Sequence, residues 1–80
     1  MQSLPPAVRR LMAVEHVGPR SAIRFYEELG IQTPEQLWWA AHQQRIRKLR
    51  GFGARSEARL KMAAGKLAGK SELAQLGGVA

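Results

Sequence analysis

Eighty residues allow one small domain and exclude a second independent core, while an apolar share of 45% is too high for a disordered tail. Thirteen Lys and Arg against six Glu leave a net charge of +7, and nine of the thirteen cations are Arg, which points to a polyanionic partner, because guanidinium matches phosphate geometry. With no Cys and no Asp, disulfides, thiolate zinc sites and chemistry built on clustered aspartates are excluded.

Pro5 and Pro6 suit the first turn of a helix, in which Val8, Leu11 and Met12 face inward and Arg9 and Arg10 outward, with an end near Ala13. After a turn over residues 15–18, Pro19 opens a second helix. Its apolar stripe is Ala22, Ile23, Phe25, Tyr26 and Leu29, and Gly30 stops it. Thr33, Pro34 and Gln36 read as an N-cap, a first-turn proline and a capping-box glutamine, so a third helix covers 34–43 with Leu37, Trp38 and Ala41 toward the core. Residues 45–49 form a short basic segment with Ile46 and Leu49 inward, followed by a glycine turn over 51–53. From Ala54 a fourth helix runs to a stop at Gly65. Ser71 is placed to cap one more short helix over 71–76, and 66–80 is otherwise a loose tail. Nothing reads as a strand. The expected fold is all-α, with about five short helices.

A shift of thirty-five residues superposes Arg10 on Arg45, Gly18 on Gly53, Arg20 on Arg55, Ser21 on Ser56, Arg24 on Arg59 and Gly30 on Gly65. Apolar pairs follow the same shift: Leu11 with Ile46, Val14 with Leu49, Val17 with Phe52 and Phe25 with Leu60. The chain is therefore a duplicated helix, hairpin, helix, and helix 34–43 joins the copies. Each hairpin leads into a helix whose first N–H groups lack partners and carry partial positive charge, an arrangement suited to an anion. Glycine helps by reaching positive φ and by leaving room for a phosphate oxygen at the backbone. Leu49 and Phe52 point the other way and anchor the second hairpin.

Leu49-Arg50-Gly51-Phe52-Gly53 resembles the helix-hairpin-helix DNA-binding motif: apolar, any residue, Gly, apolar, Gly, then a helix. Val14-Glu15-His16-Val17-Gly18 matches it with His16 in place of the first Gly. Two copies and a connector resemble the tandem domain of that family over 4–65, with motif one at 5–30 and motif two at 44–65. The stretches VGPRSAIRFYEELGI, TPEQL and KLRGFGARSE look like the tandem region of bacterial family X DNA polymerases, which fill short gaps in repair.

That resemblance implies DNA binding without sequence preference, through backbone N–H groups that hold phosphates. The donors would be Gly18, Arg20 and Ser21 in the first hairpin and Gly51, Gly53, Arg55 and Ser56 in the second, with Arg24 and Arg59 as secondary contacts. It also implies a Na⁺ or K⁺ ion on the carbonyls of Arg47, Leu49 and Phe52. Where some family members carry a Schiff-base lysine, six residues after the second hairpin glycine, this chain has Arg24 and Arg59, so lyase activity is not carried over. No catalytic residue is assigned, and polymerase activity would need a larger parent.

Blander readings stand beside these. Arg20 and Arg55 oppose the helix dipole in the first turn, which suits a nearby phosphate or simple solvation. Arg45, Arg47, Lys48 and Arg50 flank the same track or are solvated. Trp38 reads as core and Trp39 as an exposed contact for a neighbouring domain; His16 and His42 are not spaced for a metal; Glu27 and Glu28 support a helix surface. No stretch reads as a signal peptide or membrane span, so the expectation is a cytoplasmic, nucleoid-associated domain, monomeric in isolation. A free-standing helix-hairpin-helix protein of DNA uptake or recombination, or a basic scaffold for a protein partner, are the alternatives.

Overall fold

The computed structural model describes residues 4–69. Four helices and one 3-10 turn follow in order: α1 Pro6–Met12, α2 Pro19–Leu29, α3 Pro34–His42, the turn Ile46–Lys48, and α4 Ala54–Ala68. No strand occurs among the described residues. Prolines open α1, α2 and α3, where a missing N–H leaves no bond unmade.

The C-terminus of α2 shows why Gly30 is where it is. Gly30 takes φ +68°, its N–H donates to the Tyr26 carbonyl at 3.1 Å, and Ile31 N–H reaches back to Phe25 at 3.0 Å. This left-handed closure turns the chain toward α3 and buries Ile31. At the start of α3, Thr33 Oγ1 accepts from Gln36 N–H at 3.1 Å. The Gln36 side chain accepts from Gln32 N–H at 2.7 Å, one residue before the cap, so the reciprocal bond of a capping box is displaced by one position.

The equivalence of Gly65 with Gly30 fails at the end of α4. That helix continues through Gly65 to Ala68, and Gly69 (φ +72°) makes the left-handed stop instead. A glycine inside a helix costs about 1 kcal/mol against alanine and permits a stop without forcing one. Here Gly65 is buried, and the helix formers Lys66, Leu67 and Ala68 carry the helix on to a second glycine. Residues 66–69 therefore belong to α4 and its cap, while the short helix expected over 71–76 lies outside the described residues.

The core joins both copies. Phe25, Leu11, Leu37, Ile46, Val8 and Val14 are its largest fully buried side chains, and each contributes about 1.5–3 kcal/mol of burial. α1 packs on α2, whereas α3 packs chiefly on α4. Along that second seam Trp38 stacks on His42 (centroids 4.9 Å apart) and carries the Lys61 ammonium 5.4 Å from its ring. Trp38 is core as expected, and Trp39 is 44% exposed.

Candidate nucleic-acid interface

The thirty-five-residue repeat is present in the backbone hydrogen bonds as well as in the sequence. Ala13 N–H donates to Arg10 at 3.2 Å, and Lys48 to Arg45 at 3.3 Å. Val14 donates to Leu11, and Leu49 to Ile46, both at 3.0 Å; Val17 donates to Val14, and Phe52 to Leu49, both at 3.1 Å. Ala22 closes on the Gly18 carbonyl at 2.9 Å, and Glu57 on Gly53 at 3.0 Å. Two chain segments of different sequence thus fold into one hairpin design.

The first hairpin position needs left-handed backbone in both copies, with φ +74° at His16 and +91° at Gly51. The second does not. Gly18 (φ −92°) and Gly53 (φ −111°) are extended N-caps that any residue could adopt, and a Cβ built on either meets nothing within 4 Å. Neither the backbone nor the packing of the domain requires glycine there, and the missing side chain leaves the backbone open to close approach. The neighbouring donors are open. Among the described residues no backbone hydrogen bond is donated by Gly18, Arg20 or Ser21, nor by Gly51, Gly53, Arg55 or Ser56. Gly18, Arg20, Gly51, Gly53 and Arg55 are exposed, while Ser21 and Ser56 are half-buried.

The second hairpin is braced from three sides. Leu49 is buried, and the Phe52 ring packs at 5.3 Å from Phe25. From α2 the Arg24 guanidinium lies 5.5 Å from the Phe52 ring and donates to the Arg50 carbonyl at 2.6 Å. Its Nε also donates to Glu28 at 2.9 Å, so Arg24, read above as a secondary phosphate contact, is engaged inside the domain. Below the hairpin, Glu57 is only 3% exposed and pairs with Arg47, accepting from its backbone N–H at 3.1 Å and from Nε at 2.9 Å, with Nη2 at 2.8 Å. This clamp ties the 3-10 turn to the first turn of α4.

Glu57 escaped the sequence reading. The available signal was a departure from the repeat, since its counterpart is Ala22 and that of Arg47 is Met12. Arg45, Lys48 and Arg50 are exposed, and so is Arg59, for which no hydrogen bond or ion pair is found among the described residues. The carbonyls of Arg47 and Phe52 accept no hydrogen bond among the described residues, and Leu49 accepts one, from Phe52, which leaves it a lone pair. Three neutral oxygens with free acceptor capacity are a donor set that fits a hard monovalent cation.

No helix among the described residues is long and apolar enough to cross a membrane. A family model described as a SAM-like helix-hairpin-helix tandem matches residues 8–66, which include both hairpins and the connector. The chain is also similar to a DNA polymerase/3'-5' exonuclease PolX of Bacillus subtilis (strain 168), at 33% identity over 69 residues. That match spans 86% of this chain and 12% of the relative. No solved structure matches at a significant level. With two hairpins of one backbone design joined by a connector helix, and most of its length matched, the chain belongs to the SAM-like tandem helix-hairpin-helix family, in a form resembling that of the family X DNA polymerases.

Proposed function

We propose that this domain binds DNA without sequence preference, holding two phosphates on the backbone N–H groups at the starts of α2 and α4. The observation that carries the reading is the repeated pairing of open donors with a glycine whose missing Cβ serves nothing inside the domain. An anion there meets several N–H dipoles and the positive end of a helix at once. The net charge of +7 adds long-range attraction that falls with salt. Backbone donors report phosphate geometry and carry no base information, so sequence preference is not expected.

The carbonyls of Arg47, Leu49 and Phe52 would hold a Na⁺ or K⁺ beside the second hairpin, where the ion supplies positive charge for the phosphate. Likeness to a relative named as a polymerase and exonuclease supports placing this chain as the DNA-binding part of a family X repair enzyme, with gapped or nicked duplex as its substrate. The domain's own share of that work is grip.

An amide titration by NMR with a short gapped duplex, at two salt concentrations, tests the reading. Salt-sensitive shifts centred on Gly18, Ser21, Gly51, Gly53 and Ser56 are expected. A folded spectrum with no shifts at these positions would reduce both hairpins to structural turns.

A further inference from the structure

We infer that Arg24 is a positioning residue: a strut from the first motif that aims the Gly51 N–H of the second. This rests on the phosphate-binding reading above and adds to it a route by which one motif sets the other. The geometry starts from the peptide plane. In a trans peptide the carbonyl of one residue and the N–H of the next point in opposite directions. The bond from Arg24 Nη1 to the Arg50 carbonyl therefore fixes two things, since holding that oxygen toward α2 turns the Gly51 N–H away from it.

The same guanidinium lies against the hairpin at contact distance. A Cβ built on Gly51 would lie 3.8 Å from Arg24 Nη1, and the Phe52 ring sits beneath the cation. Glu28, one helical turn along, holds Nε at 2.9 Å and so keeps the side chain extended toward the hairpin. A charge-assisted bond to that carbonyl is stronger than a neutral one, so the peptide plane between Arg50 and Gly51 is held against rotation. The repeat supplies an internal control. Arg59 occupies the equivalent position in α4, and no bond from it to the Glu15 carbonyl is found among the described residues. Hairpin one stands without this strut.

Arg24→Met in the full chain separates a strut from a phosphate contact. In the free protein it should move the amide resonances of Gly51 and Phe52 while Gly18 and Ser21 stay in place; an unmoved Gly51 amide overturns the inference. On a short gapped duplex, Arg24→Met should weaken affinity about tenfold in the native and Gly18→Val backgrounds and less than about twofold in Gly53→Val, because losing one charge-assisted bond matters only while hairpin two still grips. An equal loss in all three backgrounds makes Arg24 an independent contact, and a loss absent only in Gly18→Val assigns it to its own motif; either result overturns the strut. If Gly53→Val itself leaves affinity unchanged, the phosphate reading fails, and the Gly51 amide shift still decides whether the strut exists. Thermal unfolding of Arg24→Met distinguishes this local effect from general loosening, which would weaken all backgrounds alike.

Discussion

The two hairpins share their backbone hydrogen bonds and an apolar anchor, Val14 and Val17 in the first and Leu49 and Phe52 in the second, and differ in the polar and aromatic contacts around them. Hairpin two has Gly51 at the left-handed position, Arg24 on its carbonyl, Phe52 against Phe25, and the Glu57–Arg47 clamp beneath. Hairpin one has His16 at that position, Glu15 where the second copy has Arg50, and Ala22 and Met12 where the second has its clamp. A duplicated motif can thus keep its geometry while its bracing contacts and local charge diverge. Preorganised donors bind more tightly than equal donors that must first be ordered, so hairpin two should dominate the grip.

The largest expected break in that comparison comes from filling the open space at the second glycines. Gly53→Val puts a branched side chain where only solvent now stands, on an extended backbone that valine accepts, so the fold should survive and the phosphate should not fit. Losing the charge-assisted bonds of one cradle should cost about 3 kcal/mol, roughly a hundredfold in affinity. Gly18→Val should cost roughly tenfold, since a less rigid hairpin beside Glu15 contributes less, and Arg9→Ala about twofold as a remote charge. Fluorescence anisotropy with a gapped duplex, with circular dichroism as the check on folding, measures all three. Equal affinities for the three variants would remove the cradle model.

Next in size is Glu57→Gln, which keeps the shape and removes the charge. The carboxylate is buried, but the Arg47 side chain it pairs with is 42% exposed and screened by water, so a full buried-pair penalty does not apply. A loss of about 1–2 kcal/mol is expected, or a fall in Tm of roughly 4–8 °C per kcal/mol for a domain this small. Amide shifts should cluster at Arg47 to Phe52 and spare hairpin one. Unchanged stability would show that the clamp is a passenger and that apolar anchoring alone holds hairpin two.

How far these features were readable in advance depends on their range along the chain. Helix starts at Pro6, Pro19 and Pro34, the stop at Gly30 and the inward faces of α2 and α3 follow from local backbone chemistry, so the sequence discloses them. Gly65 defeated the same logic because whether a helix runs on past a glycine depends on the residues that follow, and Gly69 offers a later stop. The hairpin glycines were legible as a pair, but their distinct jobs were not. Only the backbone angles separate Gly51, which takes the left-handed conformation, from Gly18 and Gly53, which are extended and face open space. The contacts of Arg24 with Arg50 and of Glu57 with Arg47 span twenty-six and ten residues, so nothing local encodes them, and the trace that Glu57 leaves in the sequence is its departure from the repeat.

The smallest effect is the most direct test of whether hairpin one is a weakened copy. His16 holds φ +74°, a region histidine visits more readily than most residues, yet at a cost glycine does not bear. His16→Gly relieves that strain and also loosens the unfolded chain, two effects of opposite sign. Because a left-handed position favours glycine over other residues by more than the entropy difference, the net should be a gain of about 0.5 kcal/mol. It also removes a side chain at the position where the second hairpin has none, so affinity for a gapped duplex should rise about twofold, while Gly51→His in the second hairpin should lose both stability and affinity. Urea unfolding and anisotropy on the two variants measure the asymmetry. If His16→Gly lowers affinity instead, the imidazole is itself a contact, and hairpin one is a differently built grip rather than a weaker one.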